Sequence, residues 1–131
     1  GRFDVWTSSI NMFKDHPVTG VGIGQWRTIY EASYRLPTEN QHLYHAHNNF
    51  IQLLGEVGLL GLLGVLIFYG SIIVDNFVVW VKQRDPYSLC GMIAVICYVF
   101  VFGQVEYTLD NSSGMRIMYF MLATMLQLRD N

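Results

Sequence analysis

The residues best suited to chemistry lie in one short stretch, His42-Leu43-Tyr44-His45-Ala46-His47-Asn48-Asn49-Phe50, with three histidines inside six residues. Imidazole titrates near neutral pH, so it can take a proton from a hydroxyl nucleophile. Neutral imidazole also binds zinc, and near a membrane surface it can serve only to bond backbone or headgroups. These readings make different demands. If the stretch is helical, His42 and His45 stand at i, i+3 and face one ion, while His47 points elsewhere. No cysteine lies nearby, and Glu56 is more than two turns away. Acid–base catalysis needs only one imidazole, an acceptor hydroxyl and a leaving group that is already good.

What must position these side chains is a largely apolar chain. Hydrophobic residues make up 52%, aromatics 15% and charged residues 14% of the 131, against roughly 25% charged in ordinary globular domains. Mean hydropathy is +0.29. Eight basic and ten acidic residues, net −2, exclude a basic nucleic-acid binder and an acidic disordered tail. The first 56 residues hold 9 of the 18 charged side chains and all four histidines. Beyond them the uncharged runs are Val57 to Val74 (18 residues), Tyr87 to Val105 (19) and Ile117 to Leu128 (12). Crossing a hydrocarbon core takes about 20 helical residues, so the third run spans only if Ser112 to Arg116 joins it. The prediction is an all-α, polytopic membrane protein fragment: a helical loop region over residues 1–56, then about three transmembrane helices near 57–81, 86–107 and 113–128.

Lys82 and Arg84 lie between the first two spans, whereas Glu106 to Asn111 holds two acids and no base. By the positive-inside rule the basic connector is cytoplasmic. Residues 1–56 and the segment from Glu106 to Ser113 then face outward, which in a bacterium is the periplasm. Asp75 comes about 27 Å down the first span at 1.5 Å per residue, near the cytoplasmic face. The chain opens at Gly1 without an initiator methionine or signal peptide, and three helices hardly enclose a large substrate. It is therefore expected to be the C-terminal piece of a larger membrane protein.

Locally, Phe3, Trp6, Ile10 and Met12 or Phe13 recur at helical spacing over Arg2 to Lys14, and Asp15-His16-Pro17 ends that helix. Gly20-Val21-Gly22-Ile23-Gly24 is a loop free to take positive φ; it lacks the βαβ context and spacing of a dinucleotide fingerprint. A short helix over Arg27 to Tyr34 and a turn over Leu36 to Asn40 follow. His42 to Glu56 is expected to be helical and to run into the first span, with Glu56 in a structural ion pair with an arginine or histidine. Gly58, Gly61 and Gly64 form a small-residue face for close helix packing. Cys90 and Cys97 read as small buried apolar groups rather than a bridge.

Taken in this order, the segments resemble the bacterial O-antigen ligases and the related O-antigen polymerases. His47-Asn48, nine residues, then Gly58-Leu59-Leu60-Gly61-Leu62 is similar to their signature. Arg2 with Trp6, Met12-Phe13-Lys14-Asp15-His16-Pro17 and the glycine loop are similar to the segment upstream of it, so the resemblance covers roughly residues 1 to 65. It implies a polytopic inner-membrane glycosyltransferase with a large periplasmic loop. Such enzymes move a glycan from undecaprenyl pyrophosphate to an acceptor: the lipid A core in ligases, another lipid-linked repeat unit in polymerases. Relatives glycosylate pilins or build other surface polymers. The family's essential loop histidine falls on His47 and a loop arginine on Arg2. A further functional arginine of the family belongs to an upstream segment outside this sequence.

The chemistry can be argued without the resemblance. A sugar hydroxyl has a high pKa and needs a base, for which His47 is suited. A glycosyl pyrophosphate leaves with spread negative charge and needs cations. Arg2 suits that role, with Arg27 and Arg35 as runners-up, because guanidinium binds phosphate oxygens in bidentate fashion and stays charged. Arginine can so replace a metal ion, and the expectation is transfer without metal or other cofactor. Asn48 orients the imidazole, bonds a sugar or caps a helix, and His45 supports the site. Tyr44 and Trp26 stack on sugar faces or are interfacial aromatics. Two other functions use the same residues. A transporter or channel subunit with a His-rich outer loop would place polar groups mid-membrane, whereas Leu63 to Ser71 and Ala94 to Phe102 hold no acidic, basic or histidine side chain. A metal-binding sensor loop is the other. Ligation and polymerisation share one donor chemistry, so the sequence does not separate them.

Overall fold

The structure, a computed structural model, describes residues 2–37 and 42–129. Helix α1 (Arg2–Asp15) is followed by a short α2 (Trp26–Ile29), which widens into a π turn over Tyr30–Tyr34. Then come α3 (Asn49–Gln83), α4 (Pro86–Val95) and α5 (Ser112–Arg129). The chain beyond α4 widens over Ile96–Val101 and tightens to 3-10 geometry over Phe102–Gln104 and Thr108–Asp110. The described residues contain no strand, as predicted. The expected turn at Thr38 to Asn40 lies outside them.

Asp4 in its first turn and Lys14 in its last suit the dipole of α1. The face it buries differs from the apolar spacing. Val5, Ser8, Ser9 and Met12 are buried, while Phe3 and Ile10 are exposed. Small serines win because they admit close neighbours: Trp26 Nε1 donates to Ser9 Oγ (3.1 Å) and Ser8 Oγ to the Tyr34 carbonyl (2.7 Å). Trp26 stacks on Tyr30 with centroids 4.8 Å apart, and with Val5, Met12 and Ala46 they form a buried core.

The glycine loop is spliced into α3. Gly58 has φ 63° and ψ −162°, which breaks the helical ladder. The break frees two carbonyls and two amides, and the loop takes all four. Val21 N and Gly22 N donate to Gly55 O (3.0 Å) and Glu56 O (2.8 Å), while Leu59 N and Leu60 N donate to Pro17 O (2.9 Å) and Val18 O (3.1 Å). Backbone groups cannot stay unpaired at such a break, so the loop and the kink require each other. The three glycines of the expected packing face therefore differ. A side chain on Gly58 would meet backbone atoms of Val18 and Gly20 at 2.6 Å, one on Gly61 would strike Val57, and one on Gly64 would meet nothing within 4 Å.

Two helices among the described residues, Asn49–Gln83 and Pro86–Gln104, are long and apolar enough to cross a membrane. At 35 residues α3 reaches about 52 Å, more than a hydrocarbon core of about 30 Å, so its turns before the kink extend beyond one. Over the third predicted span, α5 includes Ser112 to Arg116 as required, and its 18 residues also carry Arg116, Thr124, Gln127 and Arg129. A tight reversal joins α3 to α4, with Arg84 at φ 57°, Asp85 Oδ2 accepting from Ser88 N (2.6 Å) and Pro86 at the first helical position. Tyr69 and Tyr119 share a hydroxyl contact of 2.9 Å between α3 and α5, and Tyr69 forms a buried core with Val95, Val99, Met118 and Leu122. Arg129 Nη1 bonds Asp75 Oδ2 at 3.0 Å, which puts Asp75 at the same end of the helices as Lys82 and Arg84. Cys90 and Cys97 are unbridged and, against expectation, exposed, because the face turned inward along this stretch is that of Ser88, Gly91, Val95 and Val99.

Candidate active site

The histidine stretch is not helical. Residues 42–48 form bends, and α3 starts only at Asn49. Asn48 ends the irregular segment as a helix cap: its Oδ1 accepts from Phe50 N (2.9 Å) and Ile51 N (3.1 Å). The segment hangs on Ala46, which is fully buried. Its N–H donates to Gln52 Oε1 (2.8 Å) and its carbonyl accepts from Trp6 Nε1 (2.8 Å). With Ala46 turned in, His45 and His47 flank it on the outside, their rings 4.2 Å apart. His47 has φ 51°, a left-handed conformation rare for a non-glycine residue. The pairing of His42 with His45 on one helix face is thus corrected. His42 Nδ1 contacts Glu31 (3.0 Å), as does Arg35 Nη1 (3.8 Å), whereas His45 joins His47.

The partner of both imidazoles is Glu106, 59 residues beyond His47. Its carboxylate lies 3.2 Å and 3.3 Å from His47 Nδ1 and 3.5 Å from His45 Nε2. Two asparagines place it there. Asn48 Nδ2 donates to Gln104 O (3.1 Å). Asn49, fully buried, accepts from Thr108 N (2.8 Å) and donates to Thr108 Oγ1 (2.7 Å) and Val99 O (3.0 Å). Glu106 sits midway between these anchors. Burial works against its charged form, but the Tyr107 N–H and His47 outweigh burial and hold its carboxyl below the usual range. An ionised Glu106 accepts from His47 Nδ1–H, which leaves the Nε2 lone pair free. His45 Nδ1 accepts from the His47 amide (3.2 Å), so its own proton is on Nε2, toward Glu106.

A cavity of about 280 Å³ adjoins this group, lined by Arg27, Tyr44, His45, Glu56, Tyr107 and Asp110 among others. Arg27 stands 3.9 Å over the ring of exposed Tyr44. Trp26 also lines it but is buried in the core. Among the described residues Glu56 makes no pair with arginine or histidine, contrary to expectation. It accepts from Gly24 N of the loop docked at the kink, from Gln52 Nε2 (3.0 Å) one turn earlier in α3 and from Tyr107 OH (3.4 Å). Burial, then the charges of Glu56 and Asp110, push the Tyr107 hydroxyl up. Arg2 is exposed in the first turn of α1, one helical turn before the Trp6 whose indole bonds Ala46, and it is not among the residues that line the cavity.

His45 is pushed down from 6.5, first by burial and then by His47, with Glu106 and Asp110 pulling the other way. His45 and Glu106 both bind protons more weakly folded than unfolded. Their stabilisation is complete above the ordinary values of 6.5 and 4.5 and is lost as pH falls below each in turn. The thermal midpoint of the detergent-purified protein is expected to fall between about pH 7 and pH 5, less steeply in His45→Gln. A midpoint constant over that range would contradict the arrangement.

A family model described as O-antigen ligase matches residues 1–66, which takes in α1, the glycine loop, α2, the histidines and the kink. The chain is 28% identical over 131 residues to the exopolysaccharide production protein ExoQ of Rhizobium meliloti (strain 1021), covering 92% of this chain and 29% of that protein. It thus spans under a third of the length of that curated relative. No solved structure matches. Sequence reasoning missed Glu106, which lies outside the matched segment; the two unopposed acids after the second apolar run were its only signal. With its motif residues drawn to one end of apolar helices and half of its length matched, the chain belongs to the O-antigen ligase family.

Proposed function

We propose that this chain is part of a multi-spanning membrane glycosyltransferase that moves a glycan from undecaprenyl pyrophosphate to an acceptor, either a lipid A core or another lipid-linked repeat unit. The observation that carries the reading is the contact of His47 Nδ1 with Glu106 at 3.2 Å. A carboxylate on one ring nitrogen holds the imidazole, fixes its tautomer and stabilises the imidazolium that forms. His47 Nε2 takes the proton of the acceptor hydroxyl as its oxygen attacks the anomeric carbon. The bond from that carbon to the pyrophosphate oxygen breaks, and the electron pair leaves with the pyrophosphate. Arg2 and Arg27 neutralise the departing charge, while Arg35 stands by from its cluster with Glu31 and His42. Tyr44 offers a face to a sugar beside Arg27, His45 steadies Glu106, and Asn48 serves the site through its cap.

The reading places residues 1–56 and Glu106 to Asn111 at the periplasmic face of the bacterial inner membrane, where a lipid-borne donor meets water. The opposite end holds Lys82, Arg84 and the Asp75–Arg129 pair, which supports that orientation. The test is complementation of a ligase-null and a polymerase-null strain with the full-length protein: restored lipopolysaccharide ligation or chain length in one strain identifies the acceptor class, and restoration in neither sinks the reading. Transfer in membranes is expected to run at full rate in excess chelator, since guanidinium does the work of a metal. Loss of activity rescued by Mg²⁺ or Zn²⁺ would overturn that expectation.

A further inference from the structure

We propose that His45, His47 and Glu106 form a binding site for a zinc-type divalent ion, and that an ion held there disables His47 as a base. The ligand atoms are already spaced for one. His47 Nδ1 and His45 Nε2 lie 3.2 Å and 3.5 Å from the same Glu106 oxygen, and one ligand atom from each of the three residues falls within 4.8 Å of the others. In a tetrahedral zinc site with bonds of about 2.0–2.1 Å, neighbouring ligand atoms stand about 3.4 Å apart. The spacing suits an ion, and to ligate it through Nε2 His45 must shift its proton to Nδ1 and give up the bond from the His47 amide.

The cluster is held from behind. Buried Ala46, bonded through both its N–H and its carbonyl, fixes the two histidines, and Asn48 and Asn49 fix the segment that carries Glu106. The histidine side chains are about a quarter exposed (27% and 26%), so water can fill a fourth position. Two imidazoles with one carboxylate favour zinc-like ions over magnesium or calcium, which prefer all-oxygen ligand sets.

The consequence follows from the tautomer. The ion takes Nδ1, the nitrogen facing Glu106. The single proton of the neutral ring must then sit on Nε2, and the lone pair that would accept the acceptor proton is gone. The same ion occupies Glu106, so the carboxylate can no longer support an imidazolium. Binding itself depends only on the three side chains; the loss of transfer rests on His47 being the base.

The experiment uses the full-length protein in detergent, stripped of metal and titrated with Co²⁺, followed by its visible absorption, with Zn²⁺ as competitor. One ion per chain is expected, with the strong bands of a four-coordinate site. His45→Ala and Glu106→Gln should each weaken binding by more than about 100-fold, the upper end for loss of an outer-sphere partner, while His42→Ala should bind like the parent. Zn²⁺ should suppress transfer with the same saturation, and chelator should restore it. Failure of the parent protein to bind Co²⁺ or Zn²⁺ saturably overturns the site, as does unchanged binding in both variants. Saturable binding with undiminished transfer overturns the switch. Saturable binding in a protein that transfers no glycan even without metal leaves the site standing and sinks the glycosyltransferase reading.

Discussion

His47→Ala in the full-length protein is expected to cut glycan transfer by about 10²–10⁴-fold, the usual contribution of a general base. That is about 2.7–5.4 kcal/mol of transition-state stabilisation. The protein should still accumulate, because His47 is a quarter exposed (26%) and the segment hangs on Ala46 instead. Glu106→Gln offers a graded comparison. Glutamine keeps an oxygen for the Nδ1 proton but brings no charge to meet an imidazolium, so a loss of about tenfold is expected in kcat with KM nearly unchanged. Polymer or ligated product measured by gel after complementation checks the first, and steady-state rates in membranes check the second. Normal product from His47→Ala would remove the base from the mechanism, and Glu106 would then be only a loop anchor.

Gly58→Ala is expected to abolish folding of the loop onto α3. The residue has φ 63°, and a side chain there would press on the backbone of Val18 and Gly20 at 2.6 Å. The conformational strain costs on the order of 1–3 kcal/mol. Pushing the loop away also endangers four backbone bonds, each worth about 1 kcal/mol and more if its partners stay buried and unpaired. Protein level in the membrane and the melting midpoint in detergent should both drop, and transfer with them, because the kink also brings Gly24 N to Glu56. Gly64→Ala is the comparison: it lies in regular helix with nothing within 4 Å, so the midpoint should hold or rise slightly. A Gly58→Ala protein that melts with its parent would show that the splice does not hold the loop.

Much of this arrangement was legible in the residues themselves. The long uncharged runs announced helices able to cross a membrane, because the hydrocarbon core sets a length and tolerates few charges. His47-Asn48 and the glycines at their spacing carried the family. Pro17 and the three loop glycines marked where α1 must stop, since proline and positive φ act locally. The helical spacing of Phe3, Trp6 and Ile10 misled about the buried face of α1, where Ser8 and Ser9 are buried and bond Tyr34 and Trp26.

What only tertiary structure decided lies where partners are distant in sequence. His42 and His45 looked like one helix face with His47 apart, yet buried Ala46 and the Asn48 cap break the helix, so His45 pairs with His47 and His42 turns to Glu31. Glu106 becomes the carboxylate behind His47 because Asn48 and Asn49 grip Gln104 and Thr108 on either side of it. Gly58 separates from Gly61 and Gly64 because another segment supplies its missing hydrogen bonds. Periodicity and motif report what a residue does to its own few neighbours along the chain. A hydrogen bond spanning 59 residues leaves no period to read, and it is set only when the helices pack.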